Sequence, residues 1–102
     1  MEDTPSLDEL SSAVWSACEP SYVPTIIAAR EQVLAMPRDW VLANLLPVAR
    51  EALDLADEWH YRRLLELAEL LGEPALEEVV AIGRISDLPD IRKAAEDFSI
   101  SD

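Results

Sequence analysis

Apolar residues recur along most of this chain at spacings of three and four, separated by short polar breaks rich in proline; this pattern specifies helices with one buried side. Ser6-Leu7-Asp8-Glu9 reads as a capping box, in which Ser6 and Glu9 satisfy each other's free backbone amides. A first helix is therefore expected after Ser6, with Leu7, Leu10, Val14, Ala17 and Cys18 inward. Glu19-Pro20-Ser21 breaks it. A second helix runs from about Pro24 to Met36, with Ile26, Ile27, Val33 and Leu34 inward, and Pro37 ends it. Asp39 is the expected N-cap of a third helix carrying Leu42, Leu45, Leu46, Ala49, Ala52 and Leu53 on its buried side, with Arg50 and Glu51 toward water. Pro47 falls inside that pattern and has no amide to offer the carbonyl of Ala43, so a kink is expected there.

Asp57 caps a fourth helix through Leu71, with Tyr61, Leu64, Leu65, Ala68 and Leu71 on one stripe and Leu67 and Leu70 widening it. A stripe this broad marks the most buried helix. Its opposite side carries Glu58, Arg62, Glu66, Glu69 and Glu73, placing Arg62 within reach of carboxylates on both sides. Gly72-Glu73-Pro74 leads into a fifth helix with Leu76, Val79 and Val80 inward and Gly83 as its C-terminal stop. A sixth, short helix begins near Asp87, with Leu88, Ile91, Ala94, Ala95 and Phe98 on its apolar side.

These elements predict an all-α fold, a compact bundle of five or six helices forming one domain over residues 1–102, with 1–5 and 99–102 fraying. The chain holds 50% hydrophobic residues and only 2 glycines, a composition that favours helix over sheet. No run of 18 apolar residues occurs, and the start, Met1-Glu2-Asp3-Thr4-Pro5, is acidic where a secretory signal is basic. A cytoplasmic location is expected.

Charge changes the picture most. Asp and Glu number 21 against 8 Lys and Arg, a formal net charge of -13. Such a surface repels nucleic acid and anionic membranes and attracts a basic protein by long-range steering. The charge has a second reading, as a means of keeping a small domain dissolved. From Glu51 to Glu78 the acids Glu51, Asp54, Asp57, Glu58, Glu66, Glu69, Glu73, Glu77 and Glu78 face only Arg62 and Arg63, nine against two, a net of -7. An acidic side built on the most ordered helix loses little side-chain entropy on docking to a basic surface.

Tyr61-Arg62-Arg63-Leu64-Leu65-Glu66 can be laid over Ile91-Arg92-Lys93-Ala94-Ala95-Glu96, and each follows an acidic turn. The stretch Ser86-Asp87-Leu88-Pro89-Asp90-Ile91-Arg92-Lys93-Ala94-Ala95 resembles the turn and second-helix start of HEAT repeats. The resemblance implies a short right-handed stack of helix pairs, with an exposed surface for protein binding. A compact bundle ending in one HEAT-like pair fits the same residues.

No set of residues reads as catalytic. His60 is the only histidine; its spacing from Asp57 would allow a shared metal, but the carboxylates around it lie on the polar side, and a structural histidine is the simpler reading. Cys18 reads as a packed small hydrophobe, the serines lack a nucleophile elbow, and 2 glycines make no phosphate-cradling loop. No enzyme activity, cofactor or metal is expected. Of Trp15, Trp40, Trp59, Tyr22 and Tyr61, most are expected in the core, whereas Trp40 and Trp59 lie in first helical turns and off the Leu stripe. The expected function is an acidic inhibitor or immunity protein for a basic bacterial toxin such as a nuclease, binding through Glu58, Glu66, Glu69, Glu73, Glu77, Trp59 and Trp40. The alternative is a HEAT-like scaffold or adaptor.

Overall fold

A computed structural model describes residues 5–19 and 22–99, which form six helices: α1 (Leu7–Cys18), α2 (Val23–Ala35), α3 (Arg38–Ala52), α4 (Glu58–Leu71), α5 (Ala75–Arg84) and α6 (Pro89–Ser99). Among the described residues there is no strand. The expected break at Pro20-Ser21 and the fraying of residues 1–4 and 100–102 lie outside the described residues. Ser99, expected in the frayed tail, is the last residue of α6.

Local signals set most helix ends. The capping box forms, with the Glu9 amide donating to Ser6 Oγ at 3.1 Å and the Ser6 amide to Glu9 Oε1 at 2.8 Å. Asp57 accepts the Trp59 amide at 2.8 Å and starts α4. Gly72 ends α4 with a φ of 86°, a region that favours glycine. Tyr22 precedes α2 without a side-chain cap, and α2 spans 23–35, within one residue of the expected range at each end.

The helix α3 is not split at Pro47 and continues through it as one element. Two expectations are corrected. Asp39 is not the N-cap of α3; Pro37 holds that place and Asp39 lies in the first turn, where its charge still favours the helix N-terminus. Gly83 does not stop α5, which runs on to Arg84; it is a buried packing point where an added Cβ would overlap the Tyr61 hydroxyl and lie 2.8 Å from Ala95 Cβ. The helix α6 opens at Pro89, near Asp87 as expected, because proline needs no amide partner in a first turn.

The helices α1 and α4 form the middle of a molecule measuring 45 × 27 × 24 Å. The first packs on α2, α3 and α4; the second packs on α1, α5 and α6, with a lighter contact to α2. Leu10, Val14, Ala17, Cys18, Leu45, Ala49, Leu64, Leu65, Leu67 and Ala68 are buried as the stripes predict. Val41 and Val48 join them without having been expected. Leu7, Ile27, Leu34, Leu70 and Leu88, expected inward, are exposed, as are Trp15 and Tyr22. Tyr61 is fully enclosed, its hydroxyl donating to the Val79 carbonyl at 2.6 Å, and burial pushes its pKa up to about 12.

Candidate protein-binding surface

The basic side chains of this acidic chain are turned largely onto the chain itself. On α4, Arg62 Nε meets Glu58 Oε2 at 2.7 Å, one helical turn back, and Arg62 Nη2 reaches Asp97 Oδ2 on α6 at 3.2 Å. Lys93 Nζ holds the other Asp97 oxygen at 2.9 Å. Hydrogen bonds from Lys93 and then Arg62 hold the Asp97 carboxyl below the usual range, and the Glu58 bond raises the Arg62 pKa. Arg62 was expected to bridge Glu58 and Glu66; its second partner is Asp97 instead, because α6 packs on that side of α4.

Arg38, at the start of α3, works on backbone. Its Nη2 donates to the carbonyls of Leu71 at 3.0 Å and Glu73 at 2.8 Å, and its Nε to Leu71 at 3.2 Å. A cation at the C-terminus of α4 satisfies carbonyls that the helix leaves open and complements its dipole. Arg92 Nη1 likewise donates to the Ser86 carbonyl at 2.7 Å.

The third cluster lies between α2 and α4. Trp59 Nε1 donates to the Glu19 carbonyl at 3.0 Å, fastening the start of α4 to the end of α1. The Arg63 guanidinium lies 4.2 Å from the centre of the Trp59 ring, a cation–π contact, and its Nη1 reaches Glu66 Oε1 at 2.8 Å. Arg30 of α2 pairs with the same Glu66 oxygen, while Arg30 Nε is buried without a hydrogen-bond partner among the described residues. The nearby Cys18 thiol is pushed up to about 12 by burial, with the Arg30 charge opposing. It is an inert packed thiol.

The expected binding residues therefore separate into groups. Glu66 does not face outward as its spacing suggested; it is part-buried between Arg30 and Arg63 and ties α2 to α4. Glu58 is exposed but paired. Glu69 near the end of α4, Glu73 in the turn that follows it and Glu77 on α5 are exposed, with no ion pair among the described residues. Trp59 is partly exposed and fills the gap between helix ends. Trp40 is half-buried on α3 and packs against the core, its carbonyl accepting from Asn44 Nδ2 at 2.8 Å, so it does not join the α4 residues. Sequence reasoning missed Arg30. It also missed the exposed Val23, Ile27 and Leu34, although apolar residues all around a helix with few charges were a legible sign of a side left over after packing.

His60 and Asp57 both serve the start of α4: His60 Nδ1 accepts the Asp54 amide at 3.1 Å, and the Asp57 carboxylate caps the helix. Among the described residues no group of His, Cys, Asp and Glu is placed to hold a metal ion, and no helix is long and apolar enough to cross a membrane. Comparison with family models, with curated proteins and with solved structures found no match to this chain.

Proposed function

We propose that this chain is a non-catalytic protein-binding domain that receives a basic protein on its carboxylate side, as an acidic inhibitor or immunity protein would cover a bacterial toxin such as a nuclease. The observation that carries this reading is the division of charge. Arg30, Arg62, Arg63 and Lys93 are in internal ion pairs and Arg38 and Arg92 on backbone carbonyls, whereas Glu69, Glu73 and Glu77 face solvent. Arg50 and Arg84 are exposed outside these contacts, against a larger number of exposed carboxylates, so the outer surface stays predominantly negative. A nuclease must present a basic surface to phosphates, and a rigid negative surface competes for that same site.

A tagged full chain used as bait in cells of its source is expected to recover one stoichiometric basic protein, released progressively as salt rises, and to suppress that protein's activity. An acidic partner, or capture indifferent to salt, contradicts the reading. A HEAT-like scaffold module is the second reading, favoured by the 45 Å long axis along which the helices are laid out. It predicts a partner held with little dependence on salt.

A further inference from the structure

Along the edge that α2 shares with α4, both helices leave apolar side chains in water. On α2 these are Val23, Ile27 and Leu34, exposed by 55%, 48% and 44%, at spacings of four and seven that put them on one side. On α4 they are Trp59 and Leu70, exposed by 40% and 52%. Three ties fix how the two edges face each other. Trp59 bonds Glu19 just before α2, Arg30 pairs with Glu66 at mid-helix, and Leu34 and Leu70 line one cleft with Met36 and Arg38. The order is the same on both helices, so α2 and α4 run parallel; the groove between them, open as a cleft at the Leu34–Leu70 end and crossed midway by the Arg30–Glu66 pair, is about 17 Å long from Trp59 to Leu70 at 1.5 Å per residue. The ions within it, Arg30, Glu66 and Arg63, are already tied to one another. Glu31 borders it on α2 and Glu69 on α4, both exposed, whereas Glu58 on the same side of α4 is taken up by Arg62.

We propose that this groove is the seat of an amphipathic helix of the partner, one whose apolar stripe is bordered by Lys and Arg. The inference rests on the basic-partner reading above and says where and in what conformation that partner docks. A groove between two parallel helices accepts a third helix ridge-into-groove, its anchors recurring every three or four residues. The carboxylates on both rims select basic flanks. They also disfavour a second copy of this chain, which carries a net charge of -13. The partner's apolar stripe covers Val23, Ile27, Leu34 and Leu70, and Trp59 is the aromatic anchor at one end.

The test uses the full chain and three synthetic peptides of about eighteen residues, long enough to form a helix. The first carries Leu at helical spacing with Lys elsewhere, the second is its Leu/Glu counterpart, and the third is the Leu/Lys composition scrambled. The Leu/Lys helix is expected to bind saturably at one site, at least tenfold tighter than the scrambled peptide, shifting the amide resonances of Val23, Ile27, Leu34 and Leu70 and the Trp59 indole signal. Ile27→Glu and, separately, Leu34→Gln with Leu70→Gln should each abolish that preference while the chain keeps its helical spectrum. Equal, salt-sensitive binding of the scrambled peptide overturns the groove but leaves the basic-partner reading standing. Binding of the Leu/Glu helix as tight as that of the Leu/Lys helix overturns the rim selection. A dimer in sedimentation that Ile27→Glu dissolves assigns the groove to a second copy. Absence of any binding at low salt overturns the groove and the basic-partner reading together.

Discussion

The helices α2 and α4 lie side by side and run the same way, yet they stand at opposite ends of what a helix contributes to a fold. The helix α4 is capped at both ends, by Asp57 and by Arg38, and buries Tyr61, Leu64, Leu65, Leu67, Ala68 and Leu71. By contrast, α2 has no side-chain cap, buries only Ile26, Ala29 and Val33, and leaves its remaining large apolar residues in water. Apolar content is similar, but the use differs. In α4 the apolar positions converge on neighbours from α1, α5 and α6, whereas α2 rests mainly on α1, with only light contacts to α3 and α4 among the described residues. The first helix is architecture, and the second is architecture on one side and available surface on the other.

The comparison breaks if the two sides respond alike to truncation. Leu65→Ala is expected to cost about 2 to 5 kcal/mol by chemical denaturation, a large part of a typical stability of roughly 5 to 15, whereas Ile27→Ala should change it by less than about 0.5. Alkali gives a second route into the same core. The Cys18 thiol is raised from 9.0 and the Tyr61 phenol from 10.0, each to about 12. Their neutral forms are favoured on folding, so this stability is fully present below pH 9 and is lost as pH climbs from about 9 to 12. Unfolding midpoints measured across that window should fall, and Tyr61→Phe with Cys18→Ala should flatten the fall.

Smaller effects sharpen the comparison. Gly83→Ala drives a Cβ into Tyr61, 2.7 Å from its Cζ, and should cost about 1 to 3 kcal/mol. Adding Tyr61→Phe to it should cost less than the sum of the two single changes, the sign of a shared overlap in a double-mutant cycle. Smallest of all is the contrast between neighbouring carboxylates. Glu66→Gln, which leaves Arg30 and Arg63 without their shared partner, should lower stability by on the order of 1 kcal/mol, while Glu69→Gln should leave it unchanged within about 0.5 kcal/mol.

Much of this fold was legible because its signals are local. The Ser6–Glu9 box, the Asp57 cap, the broad stripe of α4 and the Gly72 break each depend on residues within one or two turns, and each is found where the spacing puts it. Errors arise where a neighbour distant in sequence decides. Gly83 reads as a stop until Tyr61, from another helix, occupies the space its missing Cβ leaves. Glu66 reads as an outward acid until Arg30, from α2, closes over it. Ile27 and Leu34 read as inward because periodicity counts apolar residues and not the surfaces available to cover them. The proposed binding surface was legible in part in the same way: the carboxylates Glu69, Glu73 and Glu77 are exposed as expected, and the spread of apolar residues around α2 signalled a side left over, though not that α4 would lie beside it.

The central claim is that carboxylates outside the internal ion pairs, and not the whole acidic sequence, meet the basic partner. Association kinetics with the protein recovered by the full chain test it most directly, comparing the wild type with a variant carrying Glu69→Gln, Glu73→Gln and Glu77→Gln. Because steering acts before contact, the variant should associate roughly tenfold more slowly at low salt, with an unchanged dissociation rate and melting temperature, and the difference should vanish at high salt. Association at the wild-type rate in low salt would show that these carboxylates are only a hydrated surface, and would contradict the account.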